Sequence, residues 1–169
     1  MIETARMILK PLTYEQLLKY IQCDHSLEAE LQLNNTARTL SPELKEAFEQ
    51  SILPNVADHT KNYLYYTLWT GILKSEKIMI GDLCIVGEPN AVGEIEIGYG
   101  TYDEFQNKGL MTEMVQGIIE WTKTQTMVKS IIASTEKTNT ASFKVLKKNS
   151  FIKIGETDTL FHWKLEINK

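Results

Sequence analysis

The sequence has little of what several functional classes require. No apolar run approaches the roughly 18 residues that a membrane helix needs, and the first residues lack the long apolar region of a signal peptide. Lysine and arginine total 18 residues against 22 aspartates and glutamates, and no dense basic block occurs. Membrane association and direct nucleic acid binding are therefore not expected, and a cytoplasmic location is predicted.

Cysteine and histidine are scarce too. Cys23 and Cys84 lie far apart without CxxC spacing, so both are interpreted as buried or incidental thiols in a reducing compartment. The three histidines, His25, His59 and His162, share no metal-ligand spacing. No metal site is predicted.

The remaining composition is that of an ordinary globular protein. The chain has 169 residues, of which 43% are hydrophobic and 24% charged, which is enough to bury a core. Repeats, low-complexity tracts and Pro/Gly-rich linkers are missing, so one domain over residues 1–169 is predicted, as a monomer or homodimer. Lys144, Lys147 and Lys148 are interpreted as the solvated face of a helix.

Hydrophobic periodicity predicts a strand, helices, three strands, and then alternating helices and strands. Thr13 and Gln16 have the spacing of a capping box, and Ser41-Pro42-Glu43 is a typical helix start. The predicted fold is α/β (α+β), with a central mixed sheet of about seven strands, antiparallel first and parallel later, flanked by helices. Strands are predicted within 5–13, 62–73, 77–87, 92–102, 128–135, 151–155 and 158–167, and helices over 14–23, 27–33, 41–52, 109–122 and 139–149.

The segment EFQNKGLMTEMVQGIIEWT, residues 104–122, joins a polar turn to an amphipathic helix. Free N–H groups in the first helical turn, the helix dipole and the charge of Lys108 would together attract an anion, and Gly109 permits close approach. Ordinary turn chemistry is the alternative. Neither GxxxxGK[ST] nor GxGxxG is present, which removes the usual evidence for a nucleotide kinase or a Rossmann dehydrogenase.

A second polar helix start follows one strand later. In NTASFKVLKKNSF, residues 139–151, the polar groups Asn139, Thr140 and Ser142 stand at the beginning of the predicted helix. A simple N-cap explains one such start. Two of them after neighbouring strands favour an extended polar ligand.

Together these segments resemble the GNAT superfamily of N-acetyltransferases. QNKGLM is similar to the Q/R-x-x-G-x-G/A loop that binds the acetyl-CoA pyrophosphate, and NTASFKVLKKNSF to the family's N-x-x-S element. TARMILKPLT and EIEIGYGTYDEFQNKG resemble the Rim-like branch, which includes ribosomal-protein N-terminal acetyltransferases. The resemblance implies acetyl-CoA as co-substrate and no metal. It implies cofactor contacts at Tyr99, Gly100, Thr101, Gln106, Asn107, Lys108, Gly109, Leu110, Met111, Thr112, Asn139 and Ser142.

Three residues depart from the family pattern. Met111 stands where the loop normally has glycine or alanine, so its side chain must point away from the pyrophosphate or crowd it. Ser150 replaces a glycine at a position expected to need an unusual backbone angle. Leu146 stands where many members have the tyrosine that protonates the leaving thiolate, and four residues after Ser142 it is expected to approach the cofactor.

The resemblance implies direct transfer of acetyl to an amine, which requires a proton acceptor and a donor to the thioester carbonyl. Glu94 and Glu96 face one side of a strand, and either is a candidate base, although a solvated face is the alternative. Glu96 is the first choice because it is nearer the expected cofactor. A backbone N–H near Tyr99 to Thr101 is expected to bind the carbonyl. Ser142 is the predicted thiolate partner, or only a helix cap. Tyr99 is expected either to pack near the acyl group or to belong to the core.

Three functions remain open from the sequence. The first is an N-acetyltransferase acting on a protein N-terminus or a small-molecule amine. The second is a catalytically weak acyl-CoA-binding sensor or partner protein of the same fold, and the third an unrelated nucleotide-binding protein. The acceptor is not determined, since residues 14–58 and 151–167, where this fold sets specificity, vary freely.

Overall fold

The predicted strands form one mixed sheet with helices on both of its faces. The computed structural model of the chain describes residues 1–168, so Lys169 of the predicted domain lies outside the described residues. The strands are β1 (Ile2–Glu3), β2 (Met7–Pro11), β3 (Leu68–Leu73), β4 (Ile78–Ile85), β5 (Glu94–Thr101), β6 (Ser130–Glu136), β7 (Ile152–Glu156) and β8 (Leu160–Glu166). The helices are α1 (Tyr14–Gln22), α2 (Ser26–Leu31), α3 (Pro42–Ala47), α4 (Leu53–Ala57), α5 (Leu110–Lys123) and α6 (Thr140–Lys148).

Parallel pairing is limited to one place in the sheet. Within residues 1–168 the strand order is β1-β2-β3-β4-β5-β6-β8-β7, and each neighbouring pair is antiparallel except β5 and β6. β7 runs in the same direction as β6, but β8 lies between them. The predicted mixed sheet is confirmed. Its additional strand is β1, which has two residues and therefore gives no periodic signal in the sequence.

Two segments have local features that the periodicity did not predict. Residues 63–65 form a 3₁₀ turn rather than the start of β3, because the Asn62 side chain accepts a hydrogen bond from Leu64 N and begins a turn. The helix that begins after Ser41, predicted to end at about Ile52 or a little beyond, ends at Ala57 and includes a π-helical segment, Phe48–Ile52. Pro54 has no N–H to donate within this helix, and Leu53 N bonds to Phe48 O, five residues back.

The predicted capping box at the start of α1 is confirmed. Gln16 N donates to Thr13 Oγ1 at 3.3 Å, and Thr13 N donates to Gln16 Oε1 at 3.1 Å. The helix buries Leu17 and Tyr20 against the sheet. The cap thus fixes the start of the helix that carries Tyr20 into the interior.

Helix α5 packs on the opposite face of the sheet from α1. Its predicted apolar stripe is buried, as are Ile95 and Ile97 of β5 on the same side. Gly117 lies where α5 approaches the first two strands, since a Cβ there would be 2.7 Å from Leu9 Cδ1 and 3.0 Å from Thr4 Cγ2. The absence of a side chain at this position lets the helix approach the sheet closely.

Substitution of Gly117 is expected to separate α5 from the sheet. Gly117→Val should lower the free energy of unfolding by about 1–3 kcal/mol, because extra volume in a packed core forces the backbone to shift. Gly155→Val is the control: a Cβ at Gly155 meets no atom within 4 Å, and its change should stay within about 0.5 kcal/mol. Equal urea midpoints for the two variants would show that α5 tolerates the displacement.

Candidate functional site

The parallel strands β5 and β6 separate part-way along their length. Their pairing ends at Glu96 and Ile132, while β5 continues to Thr101 and β6 to Glu136. On its other side β5 remains paired with β4 up to Thr101. The last residues of β5 therefore have one edge without a ladder partner.

Backbone donors of β5 face this opening. Val86 N donates to Glu96 O and Tyr102 N donates to Ile80 O, both at 2.9 Å. Hydrogen-bonded and non-hydrogen-bonded pairs alternate in an antiparallel ladder, so the even-numbered residues bond to β4. The N–H groups of Tyr99 and Thr101 consequently point towards the opening, where they can donate to a carbonyl oxygen.

A first cavity, the α5 cavity, lies between this opening and the starts of α5 and α6, with a volume of about 420 Å³. The loop before α5 holds Asn107 and Gly109 in left-handed conformations, with φ of 61° and 72°. No side chain caps the helix at Gly109, so the N–H groups of Leu110, Met111 and Thr112 are available to a ligand. This is the geometry of an anion site.

Every predicted cofactor residue except Lys108 lines the α5 cavity. The Lys108 ammonium instead lies 5.1 Å from the centre of the Phe105 ring. The backbone carbonyl of Lys108 accepts a hydrogen bond from Arg6. Five residues that the sequence did not predict also line the α5 cavity: Phe105, Ala141, Lys144, Val145 and Lys148.

The positive charge at the α5 cavity comes from α6. Lys144 and Lys148 are separated by one helical turn and line the cavity. Both are exposed, as predicted for a solvated helix face, and they line the cavity in addition. Lys147, between them in sequence, instead lies over the rings of Phe143 and Trp163, at 5.2 and 5.9 Å. In the sequence, the four-residue spacing of Lys144 and Lys148 and the small residue Ala141 before them could have indicated that this helix face lines a site.

The start of α6 is tied to β5. Asn139 Oδ1 accepts from Ser142 N at 3.0 Å, so Asn139 is the N-cap. The Tyr99 hydroxyl donates to Ser142 O at 2.8 Å. Burial raises the pKa of Tyr99 to about 12, so this hydroxyl remains a donor at neutral pH.

The residues that depart from the family pattern have distinct positions. The Met111 side chain is buried in the core, although the residue also lines the α5 cavity, and Ser150 has a left-handed φ of 65°, as expected at a position that favours glycine. The expected approach of Leu146 to the cofactor is wrong. Leu146 is fully buried in the core and does not line the cavity, because each residue step turns the helix by about 100° and Val145 faces the cavity instead.

A second cavity, the α1 cavity, lies on the opposite side of the last β5 residues and has a volume of about 750 Å³. Its floor includes Asp82 and Cys84 of β4, and its walls come from α1, residues 36–44 and the segment after β5. Tyr99, Gly100 and Thr101 line both cavities. The two cavities thus meet at the segment whose N–H groups face the opening.

Comparison with known proteins now assigns the family. Residues 6–152 match the family described as Acetyltransferase (GNAT) domain. The chain belongs to the GNAT acetyltransferase family. It is therefore an acetyl-CoA-dependent acyltransferase, as its sequence resemblance predicted.

Similar proteins align with almost the whole length of this GNAT. The protein named uncharacterized N-acetyltransferase YjdG from Bacillus subtilis (strain 168) is 27% identical over 166 residues, which are 96% of each chain. The structure of ribosomal-protein-S5-alanine acetyltransferase from Vibrio fischeri matches with a TM-score of 0.68 and 17% identity, over 99% and 97% of the two chains. RimL, a ribosomal L7/L12 α-N-protein acetyltransferase solved in complex with coenzyme A, matches with a TM-score of 0.68 and 17% identity, over 97% and 96%.

The α1 cavity of this GNAT contains a buried carboxylate with two tyrosine partners. Asp82 Oδ2 accepts hydrogen bonds from the hydroxyls of Tyr20, at 2.5 Å, and Tyr102, at 2.9 Å. Burial raises the pKa of Asp82, while these hydrogen bonds, the Thr70 hydroxyl and the charge of Arg38 oppose the rise. Burial and the adjacent Asp82 raise the pKa of both tyrosines.

A buried ion pair supports the wall of the α1 cavity. Arg38 donates to Glu28 Oε1, and its guanidinium carbon lies 4.7 Å above the Tyr20 ring. Burial favours a higher pKa for Glu28, but hydrogen bonds from its surroundings, including Arg38, outweigh that effect and lower it. Both side chains are at most 2% exposed, so Glu28 neutralises Arg38 without help from solvent.

The two predicted bases lie outside both cavities. Glu94 pairs with Lys164 at 3.2 Å and accepts from the Ser130 hydroxyl at 3.4 Å. Glu96 is half-buried on the same side of β5 as Gly98 and Gly100. Neither glutamate contributes to the lining of the α5 or α1 cavity. Their catalytic roles stay predictions.

Two further properties concern the whole described chain. Among residues 1–168, no helix is both long and apolar enough to cross a membrane. In the same range, no group of three or more His, Cys, Asp or Glu side chains is placed to hold a metal ion.

The loop of the α5 cavity is fastened to the first hairpin of the sheet. Arg6 Nε donates to Glu113 Oε2 at 2.6 Å, and Arg6 Nη1 donates to Lys108 O at 3.1 Å. Thr4 Oγ1 and Arg6 N both donate to Glu113 Oε1 at 2.7 Å. Because Glu113 belongs to the first turn of α5, these bonds fix the loop relative to the helix start.

Loss of the Arg6 side chain is expected to loosen this loop. Arg6→Met should weaken coenzyme A binding about tenfold, equivalent to about 1.4 kcal/mol, with a loss of only about 1 kcal/mol or less in global stability, because the ion pair is partly exposed. Lys74→Met is the control, since Lys74 pairs with Glu3 on the same hairpin but makes no contact with the loop. Calorimetric titration with coenzyme A measures both. Equal affinities would show that the loop keeps its shape without Arg6.

Proposed function

We propose that this GNAT transfers acetyl directly from acetyl-CoA, bound in the α5 cavity, to a primary amine bound in the α1 cavity. The observation that carries the proposal is that the two cavities meet at Tyr99, Gly100 and Thr101. A donor and an acceptor entering from opposite sides of β5 would come into contact there. Bringing the reactants together in this way supplies much of the rate acceleration of a two-substrate reaction.

The proposed binding of acetyl-CoA follows from the donors of the α5 cavity. The pyrophosphate would be held by N–H groups of residues 107–112, with Lys144 and Lys148 beside it. The thioester carbonyl would accept from the N–H of Tyr99 or Thr101, which strengthens as negative charge develops on the oxygen. When bound, acetyl-CoA supplies the activated acetyl group.

The charges of the α1 cavity support a cationic acceptor. Asp82 lies in its floor, and Glu43, Asp103 and Glu104 line it as exposed residues. Its arginine, Arg38, is neutralised by Glu28. An ammonium group is therefore attracted, and it must lose a proton before it can attack the thioester.

The finer identity of the acceptor is proposed as a protein N-terminus or a small-molecule amine. The names of the V. fischeri and RimL structures describe acetylation of ribosomal proteins, which favours the protein N-terminus. The acidic lining of the α1 cavity suits either class. A cytoplasmic location remains the prediction from the sequence.

Proton transfers are assigned to the predicted residues as hypotheses. Glu96 is the predicted base, with Glu94 second, and either would act through water because neither lines a cavity. Ser142 lines the α5 cavity and is the predicted partner of the leaving thiolate. Its N–H and carbonyl are already occupied by Asn139 and Tyr99, while its hydroxyl is free of these bonds.

One observation keeps the sensor alternative open. Leu146 occupies the position of the family's thiolate-protonating tyrosine and is fully buried, so no hydroxyl is supplied from that position. An acyl-CoA-binding protein with weak catalysis would need only the α5 cavity.

The test measures free thiol release from acetyl-CoA with a panel of amines: L-alaninamide, a tripeptide amide, spermidine and 1,4-diaminobutane. Acetylated product is identified by mass. Transfer to at least one amine, faster than hydrolysis, is the expected result. Tight acetyl-CoA binding without transfer to any of them would support the sensor, and stabilisation by ATP instead of acetyl-CoA would reject both.

The two lysines of α6 provide a matched comparison. Lys144→Ala combined with Lys148→Ala should raise the KM for acetyl-CoA about tenfold, corresponding to about 1.4 kcal/mol, and should reduce the salt dependence of KM. Lys147→Ala should leave KM near the wild-type value, because Lys147 contacts aromatic rings rather than the cavity. Similar KM values for the two variants would contradict the assigned phosphate contacts.

A further inference from the structure

The strongest unassigned feature is the Asp82 carboxylate, which is 8% exposed on the floor of the α1 cavity. One oxygen, Oδ2, accepts from two tyrosines, and their hydroxyl oxygens are 3.3 Å apart. The other, Oδ1, is buried and has no partner in hydrogen-bond geometry within residues 1–168, although the nearby Thr70 hydroxyl still lowers the pKa of Asp82. A buried carboxylate with an unused oxygen is costly unless a ligand or a proton compensates it.

The surroundings of Asp82 leave its charge uncompensated. Arg38 is the cation that most affects it, but Arg38 already forms the buried pair with Glu28. His25 also contacts Glu28, at 3.2 Å. Cys84, two residues along β4 on the same face, has a thiol whose pKa is raised to about 11 by burial, so it is neutral at neutral pH. The cluster is thus suited to receive one positive charge.

Asp82 lies closer than Glu96 to residues 99–101, where the two cavities meet, and is therefore the better candidate for the proton acceptor. Asp82 pairs directly with Gly100 in the β4–β5 register, so their Cα atoms are about 5.5 Å apart. Glu96 lies four residues before Gly100 on the same strand, which is about 13 Å. Both tyrosines line the cavity, but Tyr20 is only 2% exposed, whereas Tyr102 is half-buried and therefore more accessible to a ligand.

We propose that Tyr102 contacts the nitrogen of the acceptor amine and that Asp82 accepts its proton through the Tyr102 hydroxyl. This inference rests on the proposed function and assigns the proton acceptor of the same site. Asp82 is behind Tyr102, and Tyr20 holds the carboxylate in place through its hydrogen bond to Oδ2.

In this step an N–H bond of the ammonium breaks and its proton passes to the Tyr102 oxygen, while the Tyr102 hydroxyl proton passes to Asp82 Oδ2. The electron pair stays on nitrogen, which attacks the thioester carbon. The C–S bond then breaks with its electrons leaving on sulfur. The second nitrogen proton neutralises the thiolate, and Asp82 releases its proton to solvent. The products are the amide, coenzyme A thiol and one proton.

The raised pKa of Asp82 supports this role, because a carboxylate with a higher pKa is a better proton acceptor near neutral pH. The groups facing Asp82 are Tyr20 from α1, Arg38 from the segment after α2, Thr70 from β3, Cys84 from β4 and Tyr102 after β5. The wild-type rate should therefore fall at acid pH, as Asp82 takes up a proton.

The test compares the pH dependence of kcat/KM for Asp82→Asn, Tyr102→Phe, Tyr20→Phe and Glu96→Gln, with the best amine of the panel. Wild type should be nearly flat between pH 6 and 8. Asp82→Asn should lose about 10² to 10⁴ in rate at pH 6. Its rate should then rise tenfold per pH unit towards the amine pKa, which is about 8 for an α-amino group, because only neutral amine can react.

The tyrosine pair separates a proton path from a structural role. Tyr102→Phe should show the same steep profile as Asp82→Asn, whereas Tyr20→Phe, which removes an equivalent hydrogen bond to Oδ2, should keep the flat profile with a smaller loss. Coenzyme A affinity, governed by the other face of the sheet, should be unchanged in all four. Similar profiles for the two tyrosine variants, or a steep profile for Glu96→Gln alone, would overturn the proposal.

If wild type transfers acetyl to none of the amines, the proposed function is rejected. A binding measurement then still tests whether the Asp82 cluster binds an ammonium group. The protein saturated with coenzyme A is titrated calorimetrically with L-alaninamide and 1,4-diaminobutane at pH 7. Affinity at least fivefold weaker in Asp82→Asn would support an ammonium site at this cluster. Equal affinity, or no binding by wild type, would overturn it.

Discussion

The separation of β5 from β6 is the constraint on which the rest of the site depends. A strand that is paired on both edges uses its N–H groups in the sheet's hydrogen bonds. A strand that is paired on neither edge is not held rigidly in position. β5 avoids both outcomes because β4 holds one edge to Thr101 while β6 leaves the other after Glu96. Donors are thereby exposed on a rigid element, which is the arrangement that gives precise sites.

The positions of the two helix starts follow from this opening. α5 begins beside it because the loop after β5 is short and is held by Arg6 and Glu113. α6 begins beside it because Tyr99 reaches across to Ser142 and Asn149 Nδ2 donates to Thr112 O at 3.1 Å. Hydrogen bonds between distant parts of the chain thus align two dipoles on one cavity.

The sequence predicted most of the residues that line the α5 cavity and few of those that line the α1 cavity. The α5 cavity is built mainly from continuous segments, 99–112 and 139–148, whose polar turns and periodicity are visible locally. The α1 cavity combines α1, residues 36–44 and β4, and no local pattern indicates that these meet. A signal was nevertheless present. Asp82 interrupts the apolar run IMIGDLCIV, and a carboxylate in a buried strand needs partners.

Leu146 shows why a motif alone did not place side chains. The family pattern gives the position of Leu146 along α6. The direction in which its side chain points depends on the rotation of the helix, which is set by the packing of Phe143 against Phe161 and Trp163. Both partner rings belong to β8, which lies outside the motif. The prediction of a shared face with Ser142 failed for that reason.

The two faces of the sheet carry separate hydrophobic clusters, one under α5 and one under α1 to α4. Tyr66 and Tyr102 pack against both. A substitution within α1 to α4 is therefore expected to leave the cluster under α5 largely undisturbed, because distant changes act independently. A change at Tyr66 or Tyr102 is instead felt on both faces of the sheet at once.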